Sequence, residues 1–316
     1  MSGSSFVSLP RSEEFFKTKN EGGYPMGQFI NCRQIAADIK AEVKKEVANL
    51  SFTPKLAIIQ VGDNEASNTY IRGKTNDCIE CGFDSVYHAL DETTTTLQLV
   101  DFIASLNMDH DICGIIVQMP VPDHIDMSQV VSAIRPEKDV DGLTSKNTGE
   151  LWSRIFKPYH TPCTAAGVIE VLKRSNVKID GAHAVILGRS DIVGRPVAAM
   201  LLDENATVTM CHTHTPDIMK YVNDADIVVA ATGNANLINS SNYRPKKAGN
   251  VLIDVGINYD DDHRMVGDIE GSCVYQVTLQ TPVPGGIGLI TRAMLMKNML
   301  QAARYRAAMD RIISDR

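Results

Sequence analysis

The sequence predicts an α/β protein of two domains. Three features carry that reading. Its strand-like runs are apolar along their whole length, as in parallel sheets covered on both faces. Segments of helical period alternate with them. Several runs end in glycine, where a backbone can approach a ligand closely. A chain of 316 residues is long enough for two domains of ordinary size. The predicted boundaries are an extension at 1–27, a first domain at 28–163 completed by a C-terminal helix at 290–316, and a second domain at 164–289.

In the first domain, Ile35, Ile39, Val43 and Val47 recur every four residues between lysines and a glutamate, an amphipathic helix. Leu56 to Gly62 is a buried strand closed by glycine. Next comes Ser67-Asn68-Thr69-Tyr70-Ile71-Arg72-Gly73-Lys74 with helical spacing, and Gly82 is a natural stop. Ser67, Tyr70 and Lys74 share one helix face, near the end of a strand where open α/β sheets bind ligands. Taken alone, that octet reads first as a solvated helix face with one lysine. Phe83 to Leu90 is a second strand, Thr94 to Asn107 a helix, and Ile112 to Gln118 a third strand ending in an amide. Pro120 and Pro122 forbid helix there. Asp139-Val140-Asp141-Gly142 follows, with two alternating carboxylates expected to point the same way on an extended loop. They could bind a metal, act as acid and base, recognise an amino-heterocycle, or lie solvated in a turn. No metal site is expected, because no further His, Asp or Glu completes one.

The second domain is entered through Thr161-Pro162-Cys163-Thr164 and a helix. His183 to Gly188 is a strand, followed by a turn through Arg189 and Ser190 to Gly194, with Pro196 opening a helix. Backbone N–H groups and the helix dipole at such a turn favour a phosphate. The glycines do not fit G-x-G-x-x-G, so strand-turn-helix context carries the dinucleotide reading. After the next strand, Ala206 to Cys211, comes His212-Thr213-His214-Thr215, with no carboxylate before Asp217. An acidic residue at that place takes the ribose hydroxyls of NAD; its absence, with Arg189 nearby, points to NADP. Asp226 to Gly233 and Val251 to Asn258 are further strands, and Tyr259 to Val266 is expected to be a solvated loop. Pro282-Val283-Pro284-Gly285-Gly286-Ile287-Gly288 then leads into an Ala- and Met-rich helix to about residue 313.

Composition narrows the function classes. The net charge of −7 argues against nucleic-acid binding, and no apolar run could span a bilayer. The seven cysteines are scattered and odd in number, as for free thiols in a reducing compartment. Cys78 and Cys81 lie inside a helical pattern and are expected to be buried. The extension has no secretory core and balances its basic residues with acids. A cytoplasmic protein is expected, with mitochondrial targeting as the alternative.

Over roughly residues 28–305 the chain resembles the bifunctional methylenetetrahydrofolate dehydrogenase/cyclohydrolase family. Five segments carry the resemblance in order: Ser67 to Lys74, Gly114 to Pro122, Lys138 to Leu143, Gly188 to Pro196, and Pro282 to Gly288. It departs from the family pattern at Leu289-Ile290, where Pro-Met is usual, at Ala165 after Pro162-Cys163-Thr164, and at Thr213, where serine is common. The resemblance implies that Lys74 handles protons in the cyclohydrolase step, with Tyr70 and Gln118 positioning it and the folate. It implies that Asp141 holds the amino-pyrimidine end of the pterin and that Ser67, Pro282, Gly285 and Gly286 line the folate cleft. Arg189, Ser190 and Thr213 would meet the adenosine side of NADP, and Thr232, Gly233 and Ile257 the rest. A homodimer is expected. Alternatives are a dehydrogenase without cyclohydrolase, another two-domain amino- or hydroxy-acid dehydrogenase, and a non-catalytic NADP-binding regulator. Tyr70, Lys74, Gln118 and the Asp139–Asp141 loop argue against each.

Overall fold

In the computed structural model, residues 27–314 are described, except 154 and 156–158. The extension read from the first 27 residues therefore lies outside the described residues, apart from Gly27.

The first half runs β1 (Gln28–Phe29), α1 (Cys32–Val47), β2 (Lys55–Val61), α2 (Glu65–Cys81), β3 (Asp84–Leu90), α3 (Thr96–Met108), β4 (Ile112–Val117), α4 (Met127–Ala133) and α5 (Ser145–Ser153). The second half runs α6 (Cys163–Arg174), β5 (His183–Leu187), α7 (Gly194–Asp203), β6 (Thr207–Cys211), α8 (Ile218–Val222), β7 (Ile227–Ala230), β8 (Val251–Asp254), β9 (Asn258–Tyr259), β10 (Met265–Val266), β11 (Leu279–Gln280) and α9 (Ile287–Ser314).

β3, β2 and β4 form a parallel sheet in that order, and β1, β11, β8, β7, β5 and β6 form a second, all parallel. Gln28–Phe29 thus join the second sheet, although the boundary at 28 gave them to the first domain. In each sheet the earliest strand of the β–α–β series has neighbours on both sides. Its carboxyl end is the switch point where such sheets open a crevice. Those ends are Gly62, after β2, and Gly188, after β5.

The apolar runs are buried because both faces are covered. Ala57, Ile59, Ile115 and Val117 pack with Leu99, Ile103 and Val130 on one side of the first sheet. Leu56, Ile58 and Ile116 belong to a cluster that continues through α1, α2, α9 and α6 to Ala184 and Ile186 of the second sheet. Each fully buried Leu or Ile contributes about 1.5–3 kcal/mol. α9 packs on α1, α2, α6 and β4, so the C-terminal helix returns to the first domain.

Two loops differ from expectation. Residues 258–266 form an antiparallel hairpin, Tyr259 pairing with Met265 and Asn258 with Val266, and not a solvated loop. Its strands are two residues long and partly exposed, so apolar periodicity is absent. Residues 136–138 and 140–141 are turns, with Asp139 between them bridging Ile115 of β4, so the segment is not extended throughout. Asp139 is buried and accepts from Thr144 N (2.7 Å) and Asn147 Nδ2 (2.9 Å), tying the turn to the start of α5. No helix among the described residues is long and apolar enough to cross a membrane.

Candidate active site

α2 begins where Asn64 caps it, its side chain accepting from Ser67 N at 3.0 Å. It ends at Gly82, which is left-handed at φ +86°. Ser67 is buried and donates to Met119 O (3.3 Å), binding the helix to the segment after β4. One turn on, Tyr70 is 39% exposed. Burial raises its phenol's pKa, with Tyr259 of the hairpin adding to the rise and Arg292 of α9 opposing it. The hairpin's Tyr259 thus acts electrostatically on α2.

Lys74 Nζ donates to Gln118 Oε1 at 3.0 Å. Gln118 is buried, its own N–H bonds Ile59 O (2.8 Å), and its Nε2 donates to Met119 O (2.7 Å). That second bond fixes the amide so that only its oxygen faces Lys74. The lysine is held by one N–H, leaving the rest of the amine for a reactant.

Asp141 is brought to the same place by close packing. A Cβ on Gly114 of β4 would lie 2.5 Å from Met299 Sδ and 2.7 Å from Val140 Cγ1, so glycine lets the turn and α9 close on the strand. Asn298 of α9 donates to Val140 O (2.8 Å) and Thr161 O (2.9 Å), pinning the residue before Asp141 to the domain junction. Burial pushes the Asp141 carboxyl above its usual range; the charge of Lys74 draws it back, and Asp139 adds to the rise. Lys138 caps α3 instead of facing the cleft, donating to the carbonyls of Leu106, Asn107 and Asp109 at 2.7–3.0 Å. Sequence reading missed Asn298, Arg292 and Tyr259; none stands in a local pattern that marks it.

Pro282, Gly285 and Gly286 form the loop from β11 into α9. Gly285 has φ +96°, and a Cβ on Gly286 would strike Pro282 O. Val283 packs beside Gly267, next to the hairpin.

At the second switch point Gly188 has φ +111°, and a Cβ there would strike Ala231 O; one on Gly194 would strike Gly188 O. The Ser190 hydroxyl oxygen accepts from Val193 N (3.2 Å) and Gly194 N (3.4 Å), leaving its O–H free to donate. Arg189 and Thr213 are exposed beside it, at the ends of β5 and β6. This tight turn opening a helix fits a dinucleotide's phosphates. Thr232 and Gly233 follow β7. Their N–H groups and the Thr232 hydroxyl are all committed to buried Asp268. Ile257 lies half-exposed after β8, where burial pushes the Asp254 carboxyl up to about 7 against three backbone N–H donors. Gly188→Ala should lower stability by about 1–3 kcal/mol and weaken cofactor binding. Urea unfolding and a fluorescence titration with NADPH check this.

A Rossmann-type sheet beside a lysine–amide pair at a second α/β switch point defines a two-domain, nucleotide-dependent oxidoreductase. Residues 30–141 match the catalytic domain of tetrahydrofolate dehydrogenase/cyclohydrolase, and residues 162–307 match its NAD(P)-binding domain. The chain belongs to this family. It is 44% identical over 284 residues to the bifunctional protein FolD of Acetivibrio thermocellus, spanning 89% of this chain and 98% of that one. The crystal structure of the bifunctional FolD enzyme from Campylobacter jejuni superposes with TM-score 0.84 at 39% identity, covering 88% and 99% of the two chains. The Trypanosoma brucei enzyme, complexed with NADP and an inhibitor, gives 0.83 at 37%, covering 89% and 98%.

Proposed function

We propose that Lys74 is the proton carrier of a bifunctional folate enzyme, and that the 3.0 Å bond to Gln118 is what orients it. The chain is a methylenetetrahydrofolate dehydrogenase and methenyltetrahydrofolate cyclohydrolase. In the first reaction the methylene bridge of 5,10-methylenetetrahydrofolate loses a hydride. The bound oxidised nicotinamide supplies the acceptor, and the folate nitrogens stabilise the methenyl cation, so no protein base is required. In the second, water adds to the methenyl carbon and Lys74 takes a proton from it. Lys74 then returns a proton to the pterin-side nitrogen as the carbon–nitrogen bond breaks. The hydroxyl proton leaves to solvent, giving 10-formyltetrahydrofolate and one net proton.

Asp141 accepts the N–H groups of the amino-pyrimidine edge, and its placement near Lys74 supports that role. Tyr70 flanks the aminobenzoyl ring, while Ser67, Pro282, Gly285 and Gly286 shape the cleft. Gly188, Arg189, Ser190 and Thr213 hold the adenosine and phosphate side of NADP. Thr232, Gly233 and Ile257 line the remainder by shape. The absence of a carboxylate after β6 favours NADP over NAD. The same assay with each nucleotide tests this: kcat/KM at least about tenfold higher with NADP is expected, and equal values would overturn it. The open edge of β3, with Tyr87 exposed, supports a homodimer paired there. Seven buried free cysteines support a cytoplasmic location.

A further inference from the structure

Four residues of α2 lie on one stripe: Tyr70, Gly73, Lys74 and Asp77, at spacings of three and four. Tyr70 and Lys74 face the folate cleft in the reading above. Gly73 has no side chain because something else occupies its place. A Cβ there would lie 2.6 Å from Nη1 and 2.9 Å from Cζ of Arg292. The guanidinium lies across the bare backbone of the catalytic helix.

Arg292 arrives from the first turns of α9, four residues beyond Gly288 of the glycine-rich loop. Its orientation is fixed. Nε donates to Asp77 Oδ2 at 2.6 Å and Nη2 to Asp77 Oδ1 at 3.0 Å, a two-point pairing with a carboxylate only 3% exposed. Asp77 is shared with Lys40, whose Nζ lies 3.1 Å away. Nη1 has no protein partner among the described residues, and the side chain is 30% exposed. The charge of Arg292 reaches Tyr70, where it draws the phenol's pKa down against burial. A planar cation is thus clamped along one edge over Gly73, about one helical turn from Tyr70, with its Nη1 uncommitted.

Gly73 lets the guanidinium reach Asp77, but the clamp alone leaves unexplained why Nη1, on a partly exposed side chain, has no protein partner among the described residues. A folate carries its pterin at one end and glutamate carboxylates at the other. With the pterin at Asp141, the one-carbon bridge at Lys74 and the aminobenzoyl ring at Tyr70, the carboxylate end comes next along the cleft. We propose that the Nη1 edge of Arg292 binds a glutamate-tail carboxylate of the folate substrate, with Asp77 and Gly73 holding the guanidinium in place. This rests on the folate-cleft reading above. Lys40 shares the charge of Asp77, so the site keeps attraction for an incoming anion.

The test uses the full-length enzyme with two substrates: 5,10-methylenetetrahydrofolate, and the same compound with both tail carboxylates converted to amides. The wild-type enzyme should prefer the acid by about tenfold or more in kcat/KM, the range of one hydrogen bond to a charged group. In the double variant Asp77→Ala/Arg292→Val, which leaves no buried charge unpaired by its partner's loss, that ratio should fall to about one. Arg292→Lys is the second variant. It keeps an ion pair with Asp77 but not the planar second edge, and should also lose most of the ratio. A wild-type ratio near one, or variants that slow both substrates equally and keep the preference, would overturn the proposal. The second outcome would make Arg292 only a brace for α2. Failure of the wild-type enzyme to turn over either substrate would instead sink the folate reading itself.

Discussion

Lys74→Gln is expected to lower the cyclohydrolase rate on methenyltetrahydrofolate by about 10²–10⁴-fold, the usual worth of a positioned proton carrier. Glutamine is the informative replacement. Its amide N–H can still donate to Gln118 Oε1, as Lys74 Nζ does at 3.0 Å, but it cannot carry a proton. Lys74→Met removes the donor as well and leaves a buried amide oxygen without its partner, at a further cost of about 1–3 kcal/mol. A methionine variant that is inactive in both reactions would therefore mix two effects. The decay of methenyl absorbance, followed at saturating substrate, checks the prediction. Binding of NADPH should be unchanged, since the cofactor turn at Gly188–Gly194 belongs to the other sheet.

Asp141→Asn should lower kcat/KM for both reactions by about 10²-fold or more. A site built to accept two N–H groups then presents one amide N–H to a donor. The loss should lie mainly in KM, because the change affects ground state and transition state alike. The sign of the pH effect follows from the environment. Burial raises the Asp141 pKa more than Lys74 lowers it. Protonation removes an acceptor, so kcat/KM should fall on the acid side at a pH above that of an ordinary carboxylate. That limb should be absent in the asparagine variant. Steady-state KM measured across pH for both proteins decides it. Asp139→Asn should behave differently, as a change in the anchor of α5 and not in substrate contact.

These two aspartates mark where sequence reading ends. Strands such as Ile112–Val117 are legible because local composition determines them, and α2 is legible from its helical spacing and Gly82. The face shared by Ser67, Tyr70 and Lys74 follows from helix period alone. Asp139 and Asp141 look equivalent in a D-x-D-G segment. They are separated only by α5, whose first turn claims Asp139, and by Asn298, more than a hundred residues later, which fixes the backbone before Asp141. The Asp77–Arg292 pair spans 215 positions and has no local trace beyond an unremarkable glycine. The resemblance puts Thr232 at the cofactor; its hydroxyl donates to Asp268, which the sequence places on the far side of the hairpin. Tyr259 was hidden for a related reason. Two-residue strands have no period to read, so a hairpin near the cleft looks like a run of solvated aspartates.

The separation of Lys74 from hydride transfer is tested most directly by time-resolved absorbance of Lys74→Gln mixed with 5,10-methylenetetrahydrofolate and NADP. NADPH and the methenyl product should appear together, and the methenyl absorbance should then persist. Methenyl decay at the wild-type rate would contradict the assignment of Lys74 as the proton carrier of hydrolysis.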